Sequence, residues 1–483
     1  MTVTSQKDKI MRLYPPGKLY QRGEDRCQGN IKDSTATSMR ACNDLGYSAA
    51  VLLKQGYEIF LKDYQTEGKL EQDVLEDLHT YQPDLIMLST TNATIFSDIE
   101  FAAQLKKLSQ ALVVLKGAIF YDASPNLLEL LDLSRIDYLI GGEAETCIGG
   151  IADYALRNQG EIAEVNNIFY KDEQGQWQKT RFHCWEEDLD SLPFPARQYM
   201  NNNLYQRPDT KEPMATIQTS RGCSAACIYC LSPQISGKKI RLRSPANIFA
   251  EIEECYQQYQ IRNFFFKADT FTMNAQWTRE LCRLIINSPL HGKINFTANS
   301  RTNPLQKETL QLMKEAGCFA VAFGFESGSD ETLKRIQKGS TVALNLQAAK
   351  WAHEVGLPIY GFFMAGFPWE TEQDLELLRQ HIFAIDADFI EIHLALPYYG
   401  TRLYQMCEEA GTLQANVLGM DYFHTSTKGT QFLSQERLAE FRRQTIKSFY
   451  WRPAYIGKRF KECLKAPQKF LSYAKYGLKI GSK

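Results

Sequence analysis

The sequence predicts an α/β protein: a doubly wound N-terminal domain, a partial parallel β/α barrel, and a helical C-terminal tail. Three observations predict it. From residue 9 to residue 154, short apolar runs alternate with helical segments, the spacing of a parallel sheet with helices on both faces. Leu192-Pro193-Phe194-Pro195 then breaks the series, because each proline holds the residue before it extended. A second alternating series begins near Met214.

In the first series, residues 9–13 read as a strand ending at Tyr14-Pro15-Pro16, and 38–55 as a helix closed by Gly56. Strands follow over 57–64, 85–89, 112–115 and 138–140, with helices over 70–81, 98–109 and 127–131. Gly141-Gly142-Glu143 precedes a last helix through Tyr154. Ligands of such sheets sit outside the carboxyl ends of the strands. The candidate loops therefore follow Pro15, Ser89, Gly117 and Gly141. A connecting region carries a small hairpin, residues 168–171 and 177–182. The second series has strands over 215–219, 263–267, 294–298, 320–324, 359–365 and 389–395. Repeated β/α units of this length build a barrel whose chemistry lies at the carboxyl ends of its strands. The expected domains are 1–160, a hairpin and linker 161–205, a barrel 206–410 and an extension 411–483.

The 483 residues are enough for two or three domains with cores of their own. The hydrophobic fraction of 44% and charged fraction of 23% are those of a globular protein. A net charge of −1 gives no global pull toward nucleic acid, and none is expected as a partner. Residues 1–9 are polar, and no apolar run nears the ~18 residues of a membrane span, so the expectation is a cytoplasmic protein. From Arg452 to Lys483 nine Lys/Arg face one acid, Glu462, among Tyr455, Phe460, Phe470, Tyr473 and Tyr476. That composition suits peripheral contact with an anionic membrane or a lipid substrate. A solvated basic helix capping the barrel is the favoured reading.

Of twelve cysteines, nine are scattered singly: Cys27, Cys42, Cys147, Cys184, Cys255, Cys282, Cys318, Cys407 and Cys463. These read as small buried hydrophobes rather than a disulfide framework. The other three stand in Thr219-Ser220-Arg221-Gly222-Cys223-Ser224-Ala225-Ala226-Cys227-Ile228-Tyr229-Cys230, straight after a strand. Closely spaced thiolates hold iron–sulfur clusters. Three of them leave one iron of a cubane open, and an open position is what a catalytic metal needs. Structural zinc closes with four ligands. No fourth cysteine or histidine lies near enough in sequence to complete an ordinary zinc pattern, although a distant residue could.

This Cys-x3-Cys-x2-Cys loop resembles that of the radical S-adenosylmethionine (SAM) superfamily. The resemblance implies a 4Fe–4S cluster on Cys223, Cys227 and Cys230, with SAM on the open iron. Tyr229 fits the family's aromatic beside the adenine. Phe266-Lys267-Ala268-Asp269-Thr270 resembles the segment after the second strand, which implies that Asp269 meets the SAM amino group. Asn299-Ser300-Arg301 ends the third strand, where Arg301 would neutralise a carboxylate. Gly324-Phe325-Glu326-Ser327-Gly328 resembles the fourth-strand motif, which implies that Glu326 and Ser327 contact the ribose and carboxylate. Gly366-Phe367-Pro368 resembles the fifth-strand turn beside the adenine, and Leu396-Pro397-Tyr398-Tyr399-Gly400-Thr401 the sixth-strand ending. These motifs keep their order from about 214 to 405.

The N-terminal half resembles the Rossmann-like domain of cobalamin-dependent radical SAM enzymes, through Tyr14-Pro15-Pro16, residues 83–89, residues 113–117 and residues 137–145. The Leu192-Pro193-Phe194-Pro195-Ala196-Arg197 linker is similar to that class too. The resemblance implies cobalamin near Ser89, Thr90, Gly117, Gly141, Gly142 and Glu143. Small residues there would let the backbone approach a planar ligand. Two departures stand out. No histidine precedes His79, so the usual lower-face histidine is missing. Lys116-Gly117-Ala118 replaces a more usual Gly-Gly-Pro. The charged stretch Tyr20-Gln21-Arg22-Gly23-Glu24-Asp25-Arg26-Cys27 reads either as a cover over the ligand or as a solvated loop.

The resemblance implies methylation of an unactivated carbon in a small-molecule, peptide or lipid substrate, with electrons from a donor such as flavodoxin or ferredoxin. A non-methylating radical cyclisation or rearrangement is the alternative, and a cobalamin-binding sensor or carrier is a third. Methylthiolation is disfavoured, because Cys27, Cys42 and Cys147 do not match that family's cluster spacing.

Overall fold

The computed structural model describes residues 8–22, 29–35, 39–41, 43–121, 125–414, 416–423 and 427–481. Two compact units interleave along the chain. Met1–Gln28, Cys42–Leu204 and Leu231–Arg241 form the first, and Gly29–Ala41, Tyr205–Cys230 and Leu242–Lys483 the second.

In the first unit, β1 (Lys9–Tyr14), β2 (Glu58–Asp63), β3 (Leu85–Ser89), β4 (Leu112–Lys116) and β5 (Tyr138–Ile140) pair in parallel. Their order is β2-β1-β3-β4-β5. The hairpin β6 (Ile168–Lys171) and β7 (Trp177–Lys179) extends the sheet antiparallel from β5. The hairpin read from sequence as part of a connector is therefore the edge of this sheet. The connections carry α1 (Asn43–Lys54), α2 (Glu71–Tyr81), α3 (Ile95–Ser109), α4 (Pro125–Glu129) and α5 (Ile148–Arg157). Every residue of β3 is buried, as a strand covered on both faces requires. Winding reverses between β1 and β3, which opens a crevice outside their carboxyl ends. A single turn, α6 (Ser232–Ile235), also belongs to this unit.

The second unit is built on β8 (Met214–Gln218); along the chain the two-residue strands β9 (Ser220–Arg221) and β10 (Arg241–Leu242) follow. Its sheet continues through β11 (Asn263–Lys267), β12 (Asn295–Ser300), β13 (Cys318–Glu326), β14 (Ile359–Ala365) and β15 (Phe389–Leu394). β8 and β11 to β15 lie side by side in sequence order, all parallel, with β8 and β15 as open edges. The helices are α7 (Pro245–Tyr259), α8 (Ala275–Ile286), α9 (Lys307–Glu315), α10 (Asp330–Arg335), α11 (Val342–Glu354), α12 (Glu372–Ile385) and α13 (Arg402–Glu409). Alternation along the strands sorts the side chains. Ile217, Phe264, Phe266, Phe296, Ala298, Val321, Phe323, Phe363 and Ile392 pack with the helices in one core. The opposite parity lines the inner face of the arc.

The predicted helix over 38–55 starts only at Asn43, and Met39–Ala41 belongs to the second unit. A buried carboxylate there explains the exchange. Glu391 on β15 accepts hydrogen bonds from Ser34 Oγ at 2.8 Å and Thr35 N at 2.6 Å, and pairs with Arg442 at 3.3 Å. A buried charge needs such partners.

The tail is α14 (Gln435–Tyr450), α15 (Pro453–Lys465) and α16 (Phe470–Gly481). Leu438, Phe441, Phe449, Tyr450, Tyr455, Tyr476 and Ile480 join the core beside β15, covering an edge that would otherwise stay open. Tyr450 Oη accepts from Ile390 N at 2.7 Å, Tyr476 donates to Tyr450 Oη at 2.7 Å, and Tyr455 donates to Asp388 O at 2.9 Å. Among the described residues no helix is long and apolar enough to cross a membrane.

Candidate functional site

β8 delivers the cysteine loop. Gly222, at φ +85°, turns the chain out of the strand, a conformation that suits a residue without Cβ. Ile228, between the second and third cysteines, is buried with Leu333, Ile336, Phe367 and Leu403. Its N–H donates to Ile336 O at 3.2 Å and its carbonyl accepts from Leu403 N at 3.0 Å. This apolar anchor fixes a loop that is otherwise small and polar.

Arg301 Nη1 stands 3.5 Å from Cys227 Sγ. Burial opposes the guanidinium's charge, but Cys227, Tyr229 and Cys223 outweigh it and raise its pKa. Burial raises the Tyr229 phenol well above its ordinary value, and Glu326, Cys227 and Cys230 add to the effect. Tyr229 also packs on Phe367 with ring centroids 6.1 Å apart. Cys223, Cys227, Cys230, Tyr229 and Arg301 thus form one electrostatic group. Among the described residues no three His, Cys, Asp or Glu side chains converge on a point as a single ion requires. A cubane takes each thiolate at a different iron, and three thiols on one loop beside the Arg301 guanidinium suit such a cluster.

Around the loop, Asp269 lies half-buried just past β11. Glu326 ends β13 at φ +62°, after a register shift between Gly324 and Glu326. Its carboxylate pairs with Lys338 Nζ at 2.7 Å, both side chains being buried. A Cβ on Gly324 would stand 2.8 Å from that Nζ, so the glycine makes room for the pair. Ser327 is fully buried, and its Oγ accepts from Ser329 N at 3.1 Å. Gly366, at φ +95°, donates its N–H to Glu370 Oε2 at 2.6 Å, and Phe367 N–H donates to the same oxygen at 3.1 Å. Burial pushes the Glu370 carboxyl up to about 8, despite those two donors.

Sequence reasoning did not single out Lys338, Glu370 or Asn299. A carboxylate on a buried strand requires a polar partner, but nothing in the order of residues points from Glu326 to Lys338, twelve positions on. Asn299 precedes the last residue of β12, on the inner face opposite Phe296 and Ala298. Its Oδ1 is buried without a hydrogen-bond partner. A buried acceptor left unpaired is costly, and a donor on a bound ligand would satisfy it.

In the first unit, the predicted ligand loops lie at the carboxyl ends of β1, β3, β4 and β5. Their side chains are engaged within the protein. Ser89 Oγ donates to Asp44 Oδ2 at 2.7 Å and accepts from Arg12 at 2.6 Å. Arg12 pairs with Asp44 at 2.9 Å, and Lys116 Nζ lies 3.7 Å from the same carboxylate. Burial would raise Asp44, but Lys116, Arg12, Tyr14 and Ser89 bring it down to about 2. Lys116, a departure from the family pattern, is thus a counter-charge to Asp44. Thr90 is buried, and Glu143 pairs with Arg241 at 2.5 Å. A Cβ on Gly117 would meet Thr90 Cγ2 at 2.7 Å, one on Gly141 the Phe120 carbonyl carbon at 2.6 Å, and one on Gly142 Asn167 Cβ at 2.9 Å. These glycines are small because neighbouring loops fill the space. Asn43 Nδ2, at the start of α1, is a buried donor without a partner. Arg22 is buried against Asp98, Thr94 and Gln65 rather than solvated, and residues 23–28 lie outside the described residues, as do Cys27 and Cys42. His79 is exposed in the last turn of α2.

Residues 217–382, from β8 through most of α12, match the radical SAM superfamily model. Those residues carry a radical SAM superfamily domain. An uncharacterised methyltransferase of Pyrococcus horikoshii is 27% identical over 86% of this chain and 88% of its own length. The cytidylyl-2-hydroxyethylphosphonate methyltransferase of Streptomyces wedmorensis is 25% identical over 84% of this chain and 83% of its own. Among solved structures, the radical SAM methyltransferase TsrM of Kitasatospora setae, with cobalamin and a 4Fe–4S cluster bound, matches with a TM-score of 0.65. That match has 17% identity and covers 85% of this chain and 76% of TsrM. The chain therefore shares the fold of that cobalamin-binding protein.

Proposed function

We propose that this radical SAM chain is a cobalamin-dependent methyltransferase acting on an unactivated carbon of a small biosynthetic substrate. The observation that carries the reading is that the two methyltransferase relatives align over both units, not over the barrel alone. When bound, cluster, SAM and cobalamin supply a carbon-centred radical and a transferable methyl group.

The residues have separate tasks. Cys223, Cys227 and Cys230 would hold the cluster, with Arg301 compensating their negative charge. Asp269, Asn299, Ser327 and the Gly366 turn would hold SAM. Tyr229, kept as a phenol, and the Glu326–Lys338 pair fix the wall behind it. Glu370 clamps two amides and so fixes the Gly366 turn. In the first unit, Asn43 and the backbone of the Ser89–Thr90, Gly117 and Gly141–Glu143 loops would meet cobalamin. An electron donor of the flavodoxin or ferredoxin kind and a cytoplasmic setting, where thiols stay reduced, complete the proposal.

The test is anaerobic purification after expression with cobalamin uptake, with iron, sulfide and cobalamin assayed before incubation with SAM and reductant. About one cobalamin per chain, 5′-deoxyadenosine, and S-adenosylhomocysteine once substrate is supplied are expected. A cluster without cobalamin would remove methyl transfer and leave a plain radical reaction. Cys227→Ala should lose both cluster iron and SAM cleavage, and survival of both would overturn the cluster assignment.

A further inference from the structure

The tail uses only part of its surface to cover the barrel. On α15 the buried side is Tyr455 and Arg459, and on α16 it is Tyr476 and Ile480. The remaining surface is not uniformly polar. Ile456, Phe460 and Leu464 recur every four residues along α15, 48%, 58% and 68% exposed, so they form one line along that helix. Trp451 before it is exposed, as are Phe470, Leu471 and Leu478 on α16. A soluble surface does not gather large apolar side chains in this way without a use.

Lysines interleave with that line. Lys461 and Lys465 are exposed among Ile456, Phe460 and Leu464, and Lys475 is exposed on α16, while Lys458 pairs with Asp388 at 2.7 Å. The single acid from 452 to 483, Glu462, is already taken. Its Oε2 accepts from Arg459 Nη1 at 2.8 Å and from Tyr473 Oη at 3.1 Å. The exposed charge of α15 and α16 is therefore cationic, on a chain whose net charge is −1. Apolar residues flanked by lysines on a helix surface suit an interface that is apolar in depth and anionic at its rim. Neither helix is long enough to cross a bilayer, at 13 and 12 residues. Each can lie in the headgroup plane.

We propose that α15 and α16 form a docking face for an anionic lipid bilayer, through Ile456, Phe460, Leu464, Leu471 and Leu478 inserted between lysine-bound headgroups. The proposal concerns where the enzyme works and is independent of its reaction. The face leaves the buried side of the tail, and with it the barrel edge, undisturbed.

The experiment is flotation of the anaerobically purified, cluster-loaded full chain with phosphatidylcholine vesicles, with and without phosphatidylglycerol. Binding to the anionic vesicles, weakened by salt, is expected. Replacing Lys461, Lys465 and Lys475 by Gln should weaken it by about fivefold per lysine. Phe460→Asp/Leu464→Asp should abolish flotation while cluster absorbance and helical circular dichroism stay at wild-type levels. Equal binding to neutral vesicles, or full binding by the double Asp variant, overturns the proposal. If the double Asp variant fails to retain the cluster, Ile456→Ser/Leu478→Ser provides the same reading with less disturbance. Absence of flotation together with dimerisation that the same variants abolish also overturns it, and assigns the face to a second copy of the chain.

Discussion

Lys338→Met tests the central packing argument of the barrel. Lys338 Nζ and Glu326 Oε1 are 2.7 Å apart, and the two side chains expose 7% and 9% of their surface. Methionine keeps the volume and removes the charge. Glu326 would then be a buried carboxylate without its cation, and breaking a buried pair from one side costs about 3–5 kcal/mol. Its backbone, at φ +62°, adds strain of roughly 1–2 kcal/mol that the pair helps to hold in place. Against a typical total of about 5–15 kcal/mol, the loss is a large fraction of the stability of the unit. The assay is urea unfolding under anaerobic conditions, followed by cluster absorbance, which reports the second unit alone. A lower midpoint at unchanged slope is expected. Adding Glu326→Gln should recover most of the loss, because the uncompensated charge is then gone. The reasoning fails if Lys338→Met unfolds within about 0.5 kcal/mol of the wild type, or if the double variant is no better than the single one.

Glu370 gives a pH dependence with a definite sign. Its folded-state pKa is raised from 4.5 to about 8. Its contribution is therefore fully present below 4.5 and is lost as pH rises through about 8, worth up to about 5 kcal/mol. Glu370→Gln, which keeps an acceptor for the two amides, should flatten that part of a melting-temperature profile between pH 5 and 9, measured at roughly unit steps; an unchanged slope would assign the loss elsewhere. Gly141→Ala should destabilise the first unit by about 1–3 kcal/mol through its clash with the Phe120 carbonyl. The check is denaturation followed by tryptophan or near-UV signals, with the cluster absorbance midpoint unmoved.

The linear sequence determined the elements and the identity of the chemistry. Strand and helix periods are local, so β3, β5, β11 and β14 begin and end where alternation predicted. The cysteine loop stands out in the sequence because its three thiols lie within eight residues and follow one strand. Asp269, Arg301, Glu326 and Gly366 sit where their strands end. Tertiary structure decided which charges meet. Lys338 finds Glu326, Lys116 finds Asp44, and Ser34 and Thr35 find Glu391 across more than 350 residues. None of these pairs has a sequence period, because the energy that selects them is the desolvation of a particular buried carboxylate. The same reason explains why Met39–Ala41 left the predicted helix, and why the glycines of the first unit answer to neighbouring loops. It also separates the two sides of the tail. Composition marked residues 452–483 as basic and aromatic, but only packing against β15 decided which side chains were used up and which were left facing outward.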